Sequence, residues 1–208
     1  MTAAPGLAVT PARGAVRAVV LVLHGGRETS LAPTSRRQLS AVRMLPFARA
    51  VTRRTRDRGV AVWRVRYLVR GWNGAARSPV ADARWALDEV RRRHGEVPVV
   101  LLGHSMGGRT AVHVLDDPSV RGAVLLAPWL PVGEPVRGVA GRRVVVLHGD
   151  ADHVTSASAS HAWARRAAEA GGDVTWEPVA GGDHALLRDA GGWHRRAVDG
   201  VLEVLDRG

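Results

Sequence analysis

Five short runs rich in Val and Leu, at residues 17–23, 60–67, 97–102, 120–127 and 144–147, recur along this chain, with a more polar sixth at 173–178. Between them lie stretches with a different period. Residues 40–57 carry Val42, Leu45, Ala48 and Val51 near helical spacing and run up to Gly59. Residues 79–94 begin with Pro79, repeat at Ala83, Ala86, Leu87 and Val90, and stop at Gly95. Residues 106–115, 156–170 (before Gly171-Gly172) and 190–205 read as three further helices. Strand and helix in alternation, with strands apolar throughout, predict a mostly parallel sheet covered by helices on both faces, an α/β fold.

In such an open sheet the chemistry gathers at the carboxyl ends of the strands. The residues following each run are His24-Gly25-Gly26, Gly71-Trp72-Asn73, Ser105, Pro128-Trp129, Asp150 to His153, and Gly181 to His184. Ser, Asp and His occur among them in that order.

Gly103-His104-Ser105-Met106-Gly107 places one Ser at a strand-to-helix junction between glycines. A tight turn there exposes the hydroxyl at a helix N-terminus, where developing negative charge is favoured. A Ser hydroxyl is a weak nucleophile at neutral pH and needs a base. Of nine histidines, His104 belongs to the Ser turn, and His94, His113, His161 and His194 fall in or at the end of helical segments. His184 follows the last strand in a Gly-rich loop and is the expected base. A carboxylate must fix its tautomer and stabilise the imidazolium. The spacing Gly149-x-x-Asp152 selects Asp152, leaving Asp150 to shape the turn through local bonds. An oxyanion needs preorganised N–H donors; those expected are Met106, after the Ser, and Gly26, with Arg27 as second choice. Trp72, Asn73, Trp129 and Leu130 are candidates for pocket walls, with Trp72 and Trp129 preferred for substrate contact.

The chain resembles an α/β-hydrolase-fold serine hydrolase, of the small, cap-less group that includes dienelactone-hydrolase-like and carboxylesterase-like enzymes. The likeness rests on "LVLHGG", "LLGHSMGG", "VVVLHGDADHVT" and "GGDHALL", in that order, and spans residues 17 to about 206. It implies one α/β-hydrolase domain over residues 1–208, with 1–14 an extended or poorly ordered lead-in and the N-terminal strands of larger relatives shortened or missing. It also implies Ser105, Asp152 and His184 as a triad, His24 as an organiser of the oxyanion loop, and no metal or organic cofactor. Only residues 128–143 stand where many relatives insert a helical cap, so an open site is expected. Dienelactone hydrolases use a Cys nucleophile; this chain has no Cys, which argues against that substrate.

The expected function is cleavage of an ester-type bond in a small-molecule acyl substrate through an acyl-enzyme. The alternatives are acyl transfer, or cofactor-free lyase or perhydrolase chemistry on the same fold. A zinc reading of "HGDADH" needs ligands and a strand order that the alternating pattern does not offer. The formal charge is +11, with 30 Arg, no Lys and 19 acidic residues. That balance raises a nucleic-acid-binding module as a rival, but the arginines scatter over helix faces and leave the Ser-Asp-His order unexplained. The apolar run at 17–23 is too short for a membrane span and lacks a cleavage pattern. A cytoplasmic protein with no membrane and no specific nucleic-acid partner is expected.

Overall fold

The computed structural model describes residues 5–35 and 37–207. Its centre is a seven-stranded sheet in the order β1-β3-β2-β4-β5-β6-β7. The strands are β1 (Gly6–Thr10), β2 (Ala18–Leu23), β3 (Val60–Arg66), β4 (Val99–His104), β5 (Val120–Leu126), β6 (Arg143–Gly149) and β7 (Asp173–Val179). All neighbouring pairs are parallel except β1, which runs antiparallel to β3 at the edge. Five helices accompany them: α1 (Leu39–Arg54), α2 (Ser78–His94), α3 (Met106–Val112), α4 (Ala157–Glu169) and α5 (Ala190–Asp206).

The period-two alternation of each strand splits the core into two layers. On β2, Val19, Leu21 and Leu23 face one layer, into which α2, α3 and α4 pack. Ala18, Val20 and Val22 face the other, closed by α1 and α5. β2 is fully buried along its length, as a strand covered on both faces must be. Trp163 of α4 and Trp193 of α5, each 0% exposed, anchor their helices to opposite faces.

The lead-in, expected to be extended or poorly ordered, is extended over Gly6–Thr10, where it forms β1 and pairs with Arg66 to Val62 of β3; residues 1–4 lie outside the described residues. One expectation is corrected. The third helix ends at Val112, so His113 is its C-terminal cap. The chain turns there, and the Asp117 carboxylate accepts the Ser119 N–H at 2.9 Å. Among the described residues, no helix is long and apolar enough to cross a membrane.

The strand order explains where a site forms. From β2 the chain moves outward to β3, then returns past β2 to β4. Helix α1 follows β2 on one face and α2 precedes β4 on the other, so a crevice opens beyond the carboxyl ends of β2 and β4. Leu23 and Gly103 are register partners at that rim. The loops after them carry His24 to Gly26 and Ser105.

Candidate active site

Ser105 sits between β4 and α3 with φ +54° and ψ −119°, a conformation that costs a residue with a side chain about 1–3 kcal/mol. Two glycines make the turn possible. A Cβ on Gly103 would lie 2.5 Å from the Gly107 carbonyl oxygen, and one on Gly107 would lie 2.2 Å from that of Leu23. Backbone bonds hold the turn on both sides. Ser105 N–H donates to Leu126 O at 3.1 Å, and Ser105 O accepts from Gly108, Arg109 and Trp129.

The structure brings Ser105, His184 and Asp152 together. His184 Nε2 lies 3.1 Å from Ser105 Oγ, and its Nδ1 lies 2.8 Å from Asp152 Oδ2. Asp152 comes from the loop after β6, and its side chain is fully buried. Burial opposes its charge, but hydrogen bonds from His148 and His184 and from the Thr155 and Val154 N–H groups outweigh burial and hold the carboxyl well below the usual carboxylate range. Oδ1 accepts Val154 N–H at 2.7 Å and Thr155 N–H at 2.9 Å. The Thr155 hydroxyl donates to Oδ2 at 2.8 Å. Asp150 does not act locally. Its Oδ1 accepts the Gly181 N–H at 2.7 Å and joins the Asp152 loop to the His184 loop.

The other side of Ser105 is formed by the loop after β2. A Cβ on Gly25 would meet Ser105 Cβ at 3.3 Å, and one on Gly26 would lie 2.4 Å from Arg70 O and 2.2 Å from Met106 Cε. Only glycines allow this loop so close. Arg27 N–H is committed to Arg70 O at 2.8 Å, which removes it as a free donor. The N–H groups of Gly26 and Met106 have no backbone acceptor among the described residues. His24 is buried, and its Nδ1–H donates to the Gly25 carbonyl at 2.6 Å. Burial lowers its pKa to about 4, with the Gly25 bond opposing and Arg66 adding to the shift. His104, fully buried, places Nε2 3.0 Å from His184 O. Burial, with the neighbouring His184 charge second, lowers its pKa to about 3.

The two tryptophans behave differently from a simple pocket wall. Trp72 is 3% exposed, and its ring meets Trp129 edge-on at 6.2 Å. The Arg109 guanidinium lies over both rings, 4.1 Å from Trp72 and 4.5 Å from Trp129. Trp129, half-buried, borders a shallow cleft with Glu28, Arg109 and Pro131, to which Trp72 also contributes. Asn73 orders its own loop, accepting the Ser30 N–H at 2.9 Å, and Leu130 is buried core. Behind the tryptophans, buried Glu134 pairs with Arg109 at 2.7 Å and with His113. The segment at 128–143 is thus a short pinned loop with no helix.

Sequence reasoning missed three participants. His148 lies 3.2 Å from Asp152 Oδ2 and reads from sequence as one more buried strand residue. Thr155 and Arg109 sit three and four residues beyond Asp152 and Ser105; that spacing was their only signal. The zinc reading of 148–153 does not hold together spatially, because His148 is buried while His153 is exposed. Among the described residues, no group of three or more His, Asp or Glu is placed to hold a metal ion.

Comparison with known proteins agrees with this architecture. Residues 69–145 match the family described as serine aminopeptidase, S33. No curated protein matches this chain by sequence. A putative α/β hydrolase from Agrobacterium tumefaciens superposes with a TM-score of 0.73 at 18% identity, covering 96% of this chain and 91% of that one. An α/β serine hydrolase without lid from Xanthomonas campestris gives 0.68 at 18% identity, over 96% and 88%. A thermophilic esterase from Thermogutta terrifontis, with butyrate bound, gives 0.71 at 18% identity, over 97% and 88%. By its strand order, by the place of its Ser turn and by these likenesses, the chain belongs to the α/β-hydrolase fold in its cap-less form.

Proposed function

We propose that this protein is a serine hydrolase that cleaves carboxylic ester bonds through an acyl-enzyme. The observation that carries the reading is the continuous relay from Ser105 Oγ to His184 to Asp152, at 3.1 and 2.8 Å, beside two free N–H groups. As Ser105 Oγ bonds to the ester carbonyl carbon, its proton passes to His184 Nε2. The oxyanion is held by Gly26 and Met106 N–H. Collapse breaks the acyl–oxygen bond, and the leaving alkoxide takes the proton from His184 and departs as the alcohol. Water then attacks the acyl-enzyme, gives a proton to His184, and the second collapse releases the acid and returns the proton to Ser105 Oγ. Asp152 holds Nδ1–H throughout. The structural neighbours support the substrate class, since Est1E from Butyrivibrio proteoclasticus, with ferulic acid bound, and an esterase from Thermogutta terrifontis, with butyrate bound, are among them. The Thermogutta enzyme is phosphonylated by cyclosarin.

The test is labelling with a fluorophosphonate, followed by a panel of p-nitrophenyl esters from acetate to long-chain acyl. Wild type is expected to take up one label and to hydrolyse short esters fastest, because the loop at 128–143 leaves no long covered channel. Equal labelling of Ser105→Ala would reject the assignment.

A further inference from the structure

Asp152 Oδ2 is served by three donors, and only one of them comes from the sheet. Thr155 belongs to the same loop as Asp152 and moves with it. His184 lies on a second loop. His148 is on β6, 0% exposed, with Nε2 3.2 Å from Oδ2 and 3.4 Å from Thr155 Oγ1. Its Nδ1 lies 2.8 Å from Ser160 Oγ of α4, and Ser160 Oγ accepts Trp176 Nε1–H of β7 at 3.0 Å. The ring is therefore fixed from β6, α4 and β7 at once.

We propose that His148 is a positioning residue, which donates Nε2–H to Asp152 Oδ2 and so ties the carboxylate that orients His184 to the rigid sheet. The inference rests on the reading of His184 as base. The carboxylate sets the tautomer: it accepts only, so Nε2 carries a proton. Nδ1 meets Ser160 Oγ, whose hydroxyl also donates to Ala157 O at 2.9 Å. Ser160 in turn offers its lone pair to the indole N–H. Without this anchor the carboxylate is held by its own loop and by the side chain it has to orient, and small displacements of His184 reach the reacting centre directly. Misplacement by about 1 Å is enough to cost about 10²-fold in rate.

The experiment compares full-length wild type, His148→Leu and His148→Gln for p-nitrophenyl ester hydrolysis and fluorophosphonate labelling, with ¹⁵N-histidine NMR of wild type. His148→Leu is expected to lower kcat by about tenfold to a hundredfold with KM held, and to slow labelling in proportion. Gln keeps an N–H donor and is expected to restore most of the loss. The NMR spectrum is expected to show His148 as the Nε2–H tautomer. A folded Leu variant with wild-type kcat overturns the inference, as does Gln no faster than Leu, or an Nδ1–H tautomer. If Leu does not fold, the tautomer and the Gln rate decide: near wild-type kcat supports the inference, and a loss of about a hundredfold overturns it. A wild type that takes no label overturns instead the reading of Ser105 and His184 on which this stands.

Discussion

Two buried carboxylates, Asp152 and Glu134, have surroundings that differ in kind. Asp152 is held by two imidazoles, a hydroxyl and two backbone N–H groups, with no Arg paired to it among the described residues. Glu134 is held by the Arg109 cation and His113, and the Arg109 guanidinium itself lies over the rings of Trp72 and Trp129. A carboxylate already neutralised by an Arg has little field left to offer an imidazolium. One that meets only neutral donors keeps its full charge for the moment when His184 becomes cationic. The first arrangement fastens a loop; the second serves chemistry.

That contrast is broken most severely by exchanging the two charges for amides. Asp152→Asn is expected to stay folded and to lose about 10⁴-fold in kcat, because the wrong His184 tautomer is then favoured. Steady-state ester kinetics measure this. Glu134→Gln is expected to do the opposite. It leaves Arg109 buried without its anion and costs about 3–5 kcal/mol of stability, read by urea denaturation, while folded protein keeps kcat within a few-fold of wild type. An Asp152→Asn protein with near-normal kcat, or a Glu134→Gln protein that is stable but inert, would reverse the roles.

The smaller effect is on pH. His24 and His104 have folded pKa values lowered from 6.5 to about 4 and about 3. Below about pH 6.5 the unfolded chain binds protons that the folded chain refuses, so stability falls with falling pH. The loss begins near 6.5 and is complete only below the folded values, at up to about 1.4 kcal/mol per pH unit for each histidine. Asp152 and Glu134, both lowered, add to the loss only once the pH reaches the unfolded carboxylate range near 4. Thermal unfolding from pH 8 to 4 is therefore expected to show a steady decline beginning near 6.5. A flat Tm down to pH 5 would contradict the buried, neutral state of these two rings.

What sequence made legible follows the same physics. Strands buried on both faces must be continuous Val and Leu, so β2, β4, β5 and β6 announce themselves, and the residues after β4 and β6 locate Ser105 and Asp152; His184 follows the more polar β7. β1 has only Gly6 to Thr10, a half-exposed edge strand, and a run so short carries no pattern. Trp72 read as a pocket wall because it follows a strand, yet its burial depends on Arg109 reaching over from α3, and no local period encodes that. His148 was hidden for the opposite reason: a polar residue inside an apolar strand looks like core until Asp152, Ser160 and Trp176 are seen around it.

Catalysis by this site requires that Ser105 form a covalent acyl intermediate under the control of His184. Rapid mixing of excess p-nitrophenyl ester with wild type, with mass spectrometry of acid-quenched protein, tests it most directly. Up to one equivalent of acyl group per chain is expected, carried by the peptide containing Ser105 and absent from Ser105→Ala. Turnover of the ester by Ser105→Ala at the wild-type rate, or an acyl group on another residue, would contradict it.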